Sequence, residues 1–132
     1  MSNTLRIKKG VDIRLAGMPS LECGATPHPK MVAVQPTDFP GLIPKLLVKE
    51  GAKVQAGEAL FFDKTYTSVM FASPVSGTVK EVIRGAKRRI LAVTVEADGE
   101  NNPKNFGEWK GGDRDALVAH MAAGGAFATM RQ

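Results

Sequence analysis

Short apolar runs, each stopped within a few residues by glycine or proline, organise this chain. Val11, Ile13 and Leu15 alternate with Asp12, Arg14 and Ala16 before Gly17 and Pro19 end the run, the period-two pattern of a half-buried strand. Pro27 and Pro29 forbid regular pairing across Thr26 to Lys30. Met31 to Val34 then reads as a short apolar strand closed by Pro36. Pro40, Gly41 and Pro44 keep the next stretch irregular, and Lys45 to Lys49 extends again. Leu91, Val93 and Val95 alternate with Ala92, Thr94 and Glu96, predicting a further half-buried strand. Many short strands separated by Gly and Pro indicate a compact β sandwich or barrel.

An internal repeat sharpens that expectation. "VKEGAKVQAGEALFF" from Val48 and "VIRGAKRRILAVTV" from Val82 share Gly-Ala-Lys followed by an apolar strand. The unit is a strand, a tight turn and a returning strand, with Gly51 and Gly85 expected to supply positive φ. Neither unit buries enough surface alone, so two of them cover each other's apolar faces. The last third changes character. "ADGENNPKNFGEWKGG" from Ala97 is polar and reads as a loop, and Asp113 is placed to cap a helix with Leu117, His120 and Met121 at helical spacing. Gly124-Gly125 ends that helix, "AFATMRQ" follows, and no closing element is visible. The expected division is a β domain over 1–98 and a polar loop with a helix over 99–132 that leads into further domains.

Composition narrows the class. A chain of 132 residues with 43% apolar content allows one domain with a modest core. No segment is apolar for long enough to span a bilayer, and Met1 to Arg6 lacks the apolar run of a secretory signal. The single cysteine, Cys23, excludes an intramolecular disulfide and fits a reducing cytoplasm. Cys23 and His28 are too few for a metal site and read as a small buried thiol and a loop imidazole. The net charge of +5 and pI near 9.6 point to an acidic partner, anionic lipid or nucleic acid. That charge concentrates in Arg84, Lys87, Arg88 and Arg89, with Lys80 nearby. No aromatic residue stands between Thr78 and Ala92 to stack on bases, which argues against nucleic acid. The cluster is either a solvated basic turn or a docking patch. No nucleophile has a base beside it: Ser73 and Ser76 read as turn residues, and Asp113 and Asp115 as helix-start charges.

The stretch "FFDKTYTSVMFASPVSGTVKEV", Phe61 to Val82, resembles the centre of biotin and lipoate carrier domains. Those carriers place a modified lysine on a hairpin before a Pro-x-x-Gly turn, and their two halves are pseudo-symmetric like the two Gly-Ala-Lys units. Here Pro74 and Gly77 keep the turn, but Tyr66 stands where the carrier lysine belongs, and Lys64 lies two residues early. A shift of two preserves the face of a strand while moving the amine off the hairpin tip. The carrier methionines are absent, although Asp63-Lys64 echoes the lipoyl Asp-Lys pair. A biotin- or lipoyl-type carrier therefore stays as an alternative, against Lys64 as an exposed charge paired with Asp63 or Glu58.

Three longer stretches carry a closer resemblance. "IKKGVDIRLAG" (Ile7 to Gly17), "LLVKEGAKVQAGEALFFDK" (Leu46 to Lys64) and "SPVSGTVKEVIRGAKR" (Ser73 to Arg88) are similar, in order and spacing, to the A subunit of the Na+-translocating NADH:quinone oxidoreductase family. "MRQ" at the end resembles the start of a motif that the family continues. "Pro-x-Ser-Gly-Thr-Val" alone is less specific, being shared with biotin carriers and with the related Rnf-type electron-transport C subunit, which stays as a further alternative.

The resemblance implies a mainly β fold of barrel-sandwich hybrid type with a short carboxy-terminal helical segment. It implies a longer subunit with one nucleotide-fold-like and one β-grasp domain. The complex would oxidise NADH, reduce quinone and export sodium, with this subunit peripheral on the cytoplasmic face of the cell membrane. The other subunits of the membrane-bound complex would be its partners, and they would carry the flavins and iron–sulfur centres. One cysteine cannot hold an iron–sulfur cluster, and no Gly-rich dinucleotide fingerprint follows a strand. No cofactor is therefore expected on this chain. Phe39, Leu42, Phe61, Phe62, Met70 and Phe71 are the apolar candidates to line a quinone site, although ordinary burial preference assigns most of them to the core.

Overall fold

The computed structural model describes Gly10, residues 16–25 and residues 28–130. The strand expected over Val11 to Leu15 lies outside the described residues. Seven strands follow: β1 (Met31–Val34), β2 (Pro44–Leu46), β3 (Lys53–Val54), β4 (Ala59–Asp63), β5 (Met70–Ala72), β6 (Gly77–Arg84) and β7 (Ile90–Ala97). They form a four-stranded sheet in the order β1-β7-β6-β3 and a three-stranded sheet in the order β2-β4-β5. Every strand pairing is antiparallel.

One core joins the sheets. Val54, Val79, Val82, Ile90, Val93 and Val95 from the larger sheet meet Leu60, Phe61 and Phe71 from the smaller. Phe61 and Phe71 stack with centroids 4.9 Å apart, and Phe39 packs edge-on to Phe71 at 4.7 Å, the offset and T-shaped geometries that ring quadrupoles favour. The fold is mainly β, of barrel-sandwich hybrid type.

Three register shifts decide which residues reach this core. Along β4 and β5 the pairing steps from Ala59↔Ala72 to Phe61↔Phe71, leaving Leu60 as an extra residue. An extra residue breaks the in-out alternation, and consecutive Leu60 and Phe61 are both buried. In β6 the step from Val79↔Val95 to Glu81↔Thr94 makes Lys80 the extra residue. Val79 and Val82, three apart, are thereby buried together. Near the far end, Ile83↔Ala92 is followed by Arg84↔Ile90, so Leu91 is extra in β7. This corrects the simple alternation expected there: Ala92 and Val93 are buried side by side, with Ile90 and Val95 buried at either end, and Leu91 is only half-buried.

The second strand also departs from expectation. It covers Pro44–Leu46, not Lys45 to Lys49. Proline is tolerated as the first residue of an edge strand, where its missing N–H breaks no ladder. Gly51, at φ +80°, then turns the chain as expected, and its N–H donates to the Val79 carbonyl at 2.7 Å.

After β7 the polar loop is laid against the sheets. Ala56 N–H donates to Asn102 O at 3.0 Å, Lys104 N–H donates to Ala56 O at 2.8 Å, and the Phe106 ring lies over Gly57. Helix α1 (Arg114–Ala123) starts where Asp113 Oδ1 accepts from Ala116 N at 2.8 Å, and it ends at Gly124. Gly125 adopts φ +74°, which turns Ala126–Ala128 back onto β5, and Ala128 packs against the core. No helix of the described residues is long and apolar enough to cross a membrane.

Candidate functional site

The carrier-like hairpin is β4, residues 64–69 and β5. Asp63 organises its base: its N–H donates to Val69 O at 3.1 Å and its Oδ1 accepts from Thr65 N at 2.8 Å. Val69 N–H donates to Tyr66 O at 2.9 Å, closing a tight turn that holds Tyr66 67% exposed. Lys64 is exposed where β4 ends, with its backbone N–H tied to Ile43 O at 2.8 Å. The expected pairing of Lys64 with Asp63 or Glu58 is absent. Asp63 is engaged by Thr65, Glu58 Oε2 accepts from Gln55 N at 3.0 Å, and the ion pairs among the described residues are Lys80–Glu96 and Arg114–Asp115. The hairpin thus presents a phenol at its tip and a free amine at its shoulder.

The Pro-x-x-Gly turn leads into β6. Ser73, Ser76 and Gly77 are buried and Pro74 is exposed. Ser73 Oγ donates to Val75 O at 2.6 Å. Ser76 does more than shape a turn. Its hydroxyl donates to Asp98 Oδ1 at 2.7 Å and accepts from Asn102 N at 2.9 Å, joining the turn to the loop after β7. Asp98 Oδ1 also accepts from Glu100 N at 2.9 Å. The Ser76 hydroxyl first, and the Glu100 N–H second, hold the Asp98 carboxyl below the usual carboxylate range. Gly77 has φ +155°, and a Cβ built on it would overlap the Glu96 carbonyl oxygen. The sequence marked Gly77 as a turn glycine, and its close contact with β7 is what requires one.

Arg84, Lys87, Arg88 and Arg89 are all exposed around the tip of the β6–β7 hairpin. Lys80 is not part of this group, since its Nζ pairs with Glu96 Oε2 at 3.2 Å. Gly85 does not supply the positive φ expected of it. Its φ is −99° and ψ −160°, and the left-handed residues are Lys87 (φ 54°) and Arg88 (φ 61°). Space is tight there instead, because the Leu91 side chain lies 3.1–3.3 Å from where a Cβ on Gly85 would stand.

None of the apolar quinone candidates lines either of the two clefts beside the Ser76 turn. Phe61 and Phe71 are core, Phe39 and Leu42 pack on that core, Met70 is half-buried, and Phe62 sits under Lys45 Nζ at 5.7 Å. The larger cleft, about 590 Å³, lies instead beside His28, Lys30, Val75, Ser76 and Asp98. A second, about 450 Å³, lies beside Lys53, Gln55, Thr78, Glu100 and Asn102. His28 is an exposed loop imidazole, as expected. Cys23 is exposed, not the buried thiol expected, because residues 16–25 carry no strand or helix to cover it. No group of three metal-ligating side chains converges among the described residues.

An antiparallel barrel-sandwich domain with an intact Pro-x-x-Gly turn, and tyrosine at the carrier tip, defines a carrier-shaped module with the attachment lysine displaced. Residues 5–98 match the family model described as the NqrA N-terminal barrel-sandwich hybrid domain, and the chain belongs to that family. The A subunit of the Na(+)-translocating NADH-quinone reductase from Rhodopirellula baltica is 40% identical over 96 residues, covering 73% of this chain and 21% of that relative. Relatives of the same name from a Marinomonas species and from Klebsiella pneumoniae are each 32% identical, covering 96% of this chain and 29% of theirs. The chain therefore spans less than a third of the length of these curated relatives.

Proposed function

We propose that this chain is the amino-terminal structural and docking module of the A subunit in a membrane-bound reductase. That complex passes electrons from NADH to quinone and exports sodium, and the module sits peripherally on the cytoplasmic face of the membrane. Residues 1–98 form the module, and residues 99–132 lead toward the rest of the polypeptide. NADH and quinone are substrates of the complex, with flavins and iron–sulfur centres on partner subunits and no cofactor on this module. The relatives' shared name supports membership of the complex.

One observation carries the docking reading over a carrier reading: the tip of an otherwise complete carrier hairpin is Tyr66, a residue that neither ligase chemistry can load. A scaffold that keeps the carrier shape without its lysine has surfaces left to offer, not an arm to swing. The exposed Lys64, beside Asp63, is the specific feature favouring a carrier as the second reading. Intact mass of the protein made beside active biotin and lipoate ligases separates the two. The docking reading expects the bare chain mass, and an added biotinyl or lipoyl group on Lys64 would replace it with the carrier reading.

A further inference from the structure

The β6–β7 hairpin closes through Ala86, Lys87, Arg88 and Arg89. Arg89 N–H donates to Ala86 O at 3.2 Å, and Gly85 N–H donates to Arg89 O at 2.8 Å. Both central residues are left-handed, Lys87 at φ 54°, ψ 29° and Arg88 at φ 61°. A hairpin turn with positive φ at both centres selects Asn-Gly or Asp-Gly, because a Cβ crowds the backbone there. Only one other non-glycine residue among those described has positive φ, and it is Asn101, a type that tolerates the region. The sequence has a glycine at hand in Gly85 but holds it outside the strained pair. Folding gains little from Lys87 or Arg88, as both are exposed and neither forms an ion pair among the described residues.

Strain held at an exposed site without a packing reason points to what the site presents. Resting on the docking role proposed above, we infer that this strained turn fixes Lys87 and Arg88, flanked by Arg84 and Arg89, as the contact for an acidic surface on a folded protein partner. The fixed backbone favours a protein over a lipid. Headgroups in a fluid leaflet rearrange around any cationic cluster, so a pre-set turn adds nothing, whereas a folded surface rewards charges held in one arrangement. Arg84 supports the pose, its Nη1 reaching the Arg88 carbonyl at 3.5 Å.

Two double substitutions in the full natural protein test this. Lys87→Asn with Arg88→Gly removes both the strain and the charge, and Lys87→Gln with Arg88→Gln removes the charge alone. The first should raise the urea midpoint, and the second should leave it near that of the unsubstituted protein. Both should weaken binding to the remaining purified complex by about tenfold or more at low salt, with the gap closing as the Debye length falls below about 10 Å. Unchanged affinity in both variants would overturn the contact, and an unchanged midpoint in the Asn-Gly variant would overturn the strain argument. Loss of binding to phosphatidylglycerol vesicles, with affinity for the complex intact, would reassign the turn to a lipid surface. Failure of the unsubstituted protein to bind the complex would instead sink complex membership itself.

Discussion

Replacing Gly77 with alanine adds a single carbon, and the structure places that carbon where there is no room. It would overlap the Glu96 carbonyl oxygen and lie 2.8 Å from the Glu96 carbonyl carbon and 3.0 Å from Ala97 Cα. All three are backbone atoms of β7, which is bonded on both sides by β1 and β6. No rotamer change relieves the clash; the strands must part where Gly77 pairs with Ala97. The φ of +155° costs a side chain about 1–3 kcal/mol, and displacing packed backbone costs about 1–3 kcal/mol more. Together the loss is about 2–6 kcal/mol, a large part of the roughly 5–15 kcal/mol that holds a domain folded. Thermal melts should show the midpoint falling by roughly 6–24 °C, at about 3–4 °C per kcal/mol for this chain length. Gly51→Ala is the matched control: φ is +80°, but nothing lies within 4 Å of the added carbon, so it loses about 1 kcal/mol from backbone strain alone. If Gly77→Ala melts no lower than Gly51→Ala, the close β6–β7 approach is wrong.

Three further outcomes are expected. Ser76→Ala removes a buried hydroxyl whose partners, Asp98 and the Asn102 N–H, are exposed to water, and should cost about 0.5–1.5 kcal/mol in urea melts. The same variant should flatten the acid response. A carboxyl held low in the fold, as Asp98 is, contributes stability above the ordinary Asp range and loses it as pH falls through its lowered value. Stability of the unsubstituted protein should therefore fall more steeply below about pH 4 than that of Ser76→Ala, and parallel curves from pH 7 to pH 2 would contradict this. Asp113→Ala removes the cap of an exposed helix, so amide exchange across Arg114–Ala123 should quicken while exchange in β6 and β7 holds steady.

The strands whose ends are set by local breakers can be read from the residues alone. Pro36 closes β1, Asp113 opens α1 and Gly124-Gly125 ends it, each through its own backbone preference. Features set by a strand's neighbours cannot. The extra residues Leu60, Lys80 and Leu91 exist only relative to the opposite strand, and the first two decide that Leu60 and Phe61, and Val79 and Val82, are buried together. Gly85 resembles a turn glycine because it matches Gly51 in the repeat, yet the turn centre falls two residues later, on Lys87 and Arg88. Of the site, the basic cluster and the displaced lysine are legible as residue types at fixed spacing. The Ser76–Asp98 contact spans 22 positions, and no local pattern announces it. The return of Ala126–Ala128 onto β5 is likewise hidden, since a run of small residues after Gly125 carries no partner information.

The docking role proposed for this domain predicts that the full natural protein brings a reductase complex with it. Tagging the full natural protein in membranes that contain the other reductase subunits, then purifying through the tag in mild detergent, tests this directly. The prediction is stoichiometric recovery of those subunits with quinone-dependent NADH oxidation in the eluate, and a tagged chain whose intact mass shows no addition at Lys64. Recovery of the tagged protein alone, or with a biotinyl or lipoyl group attached, would contradict it.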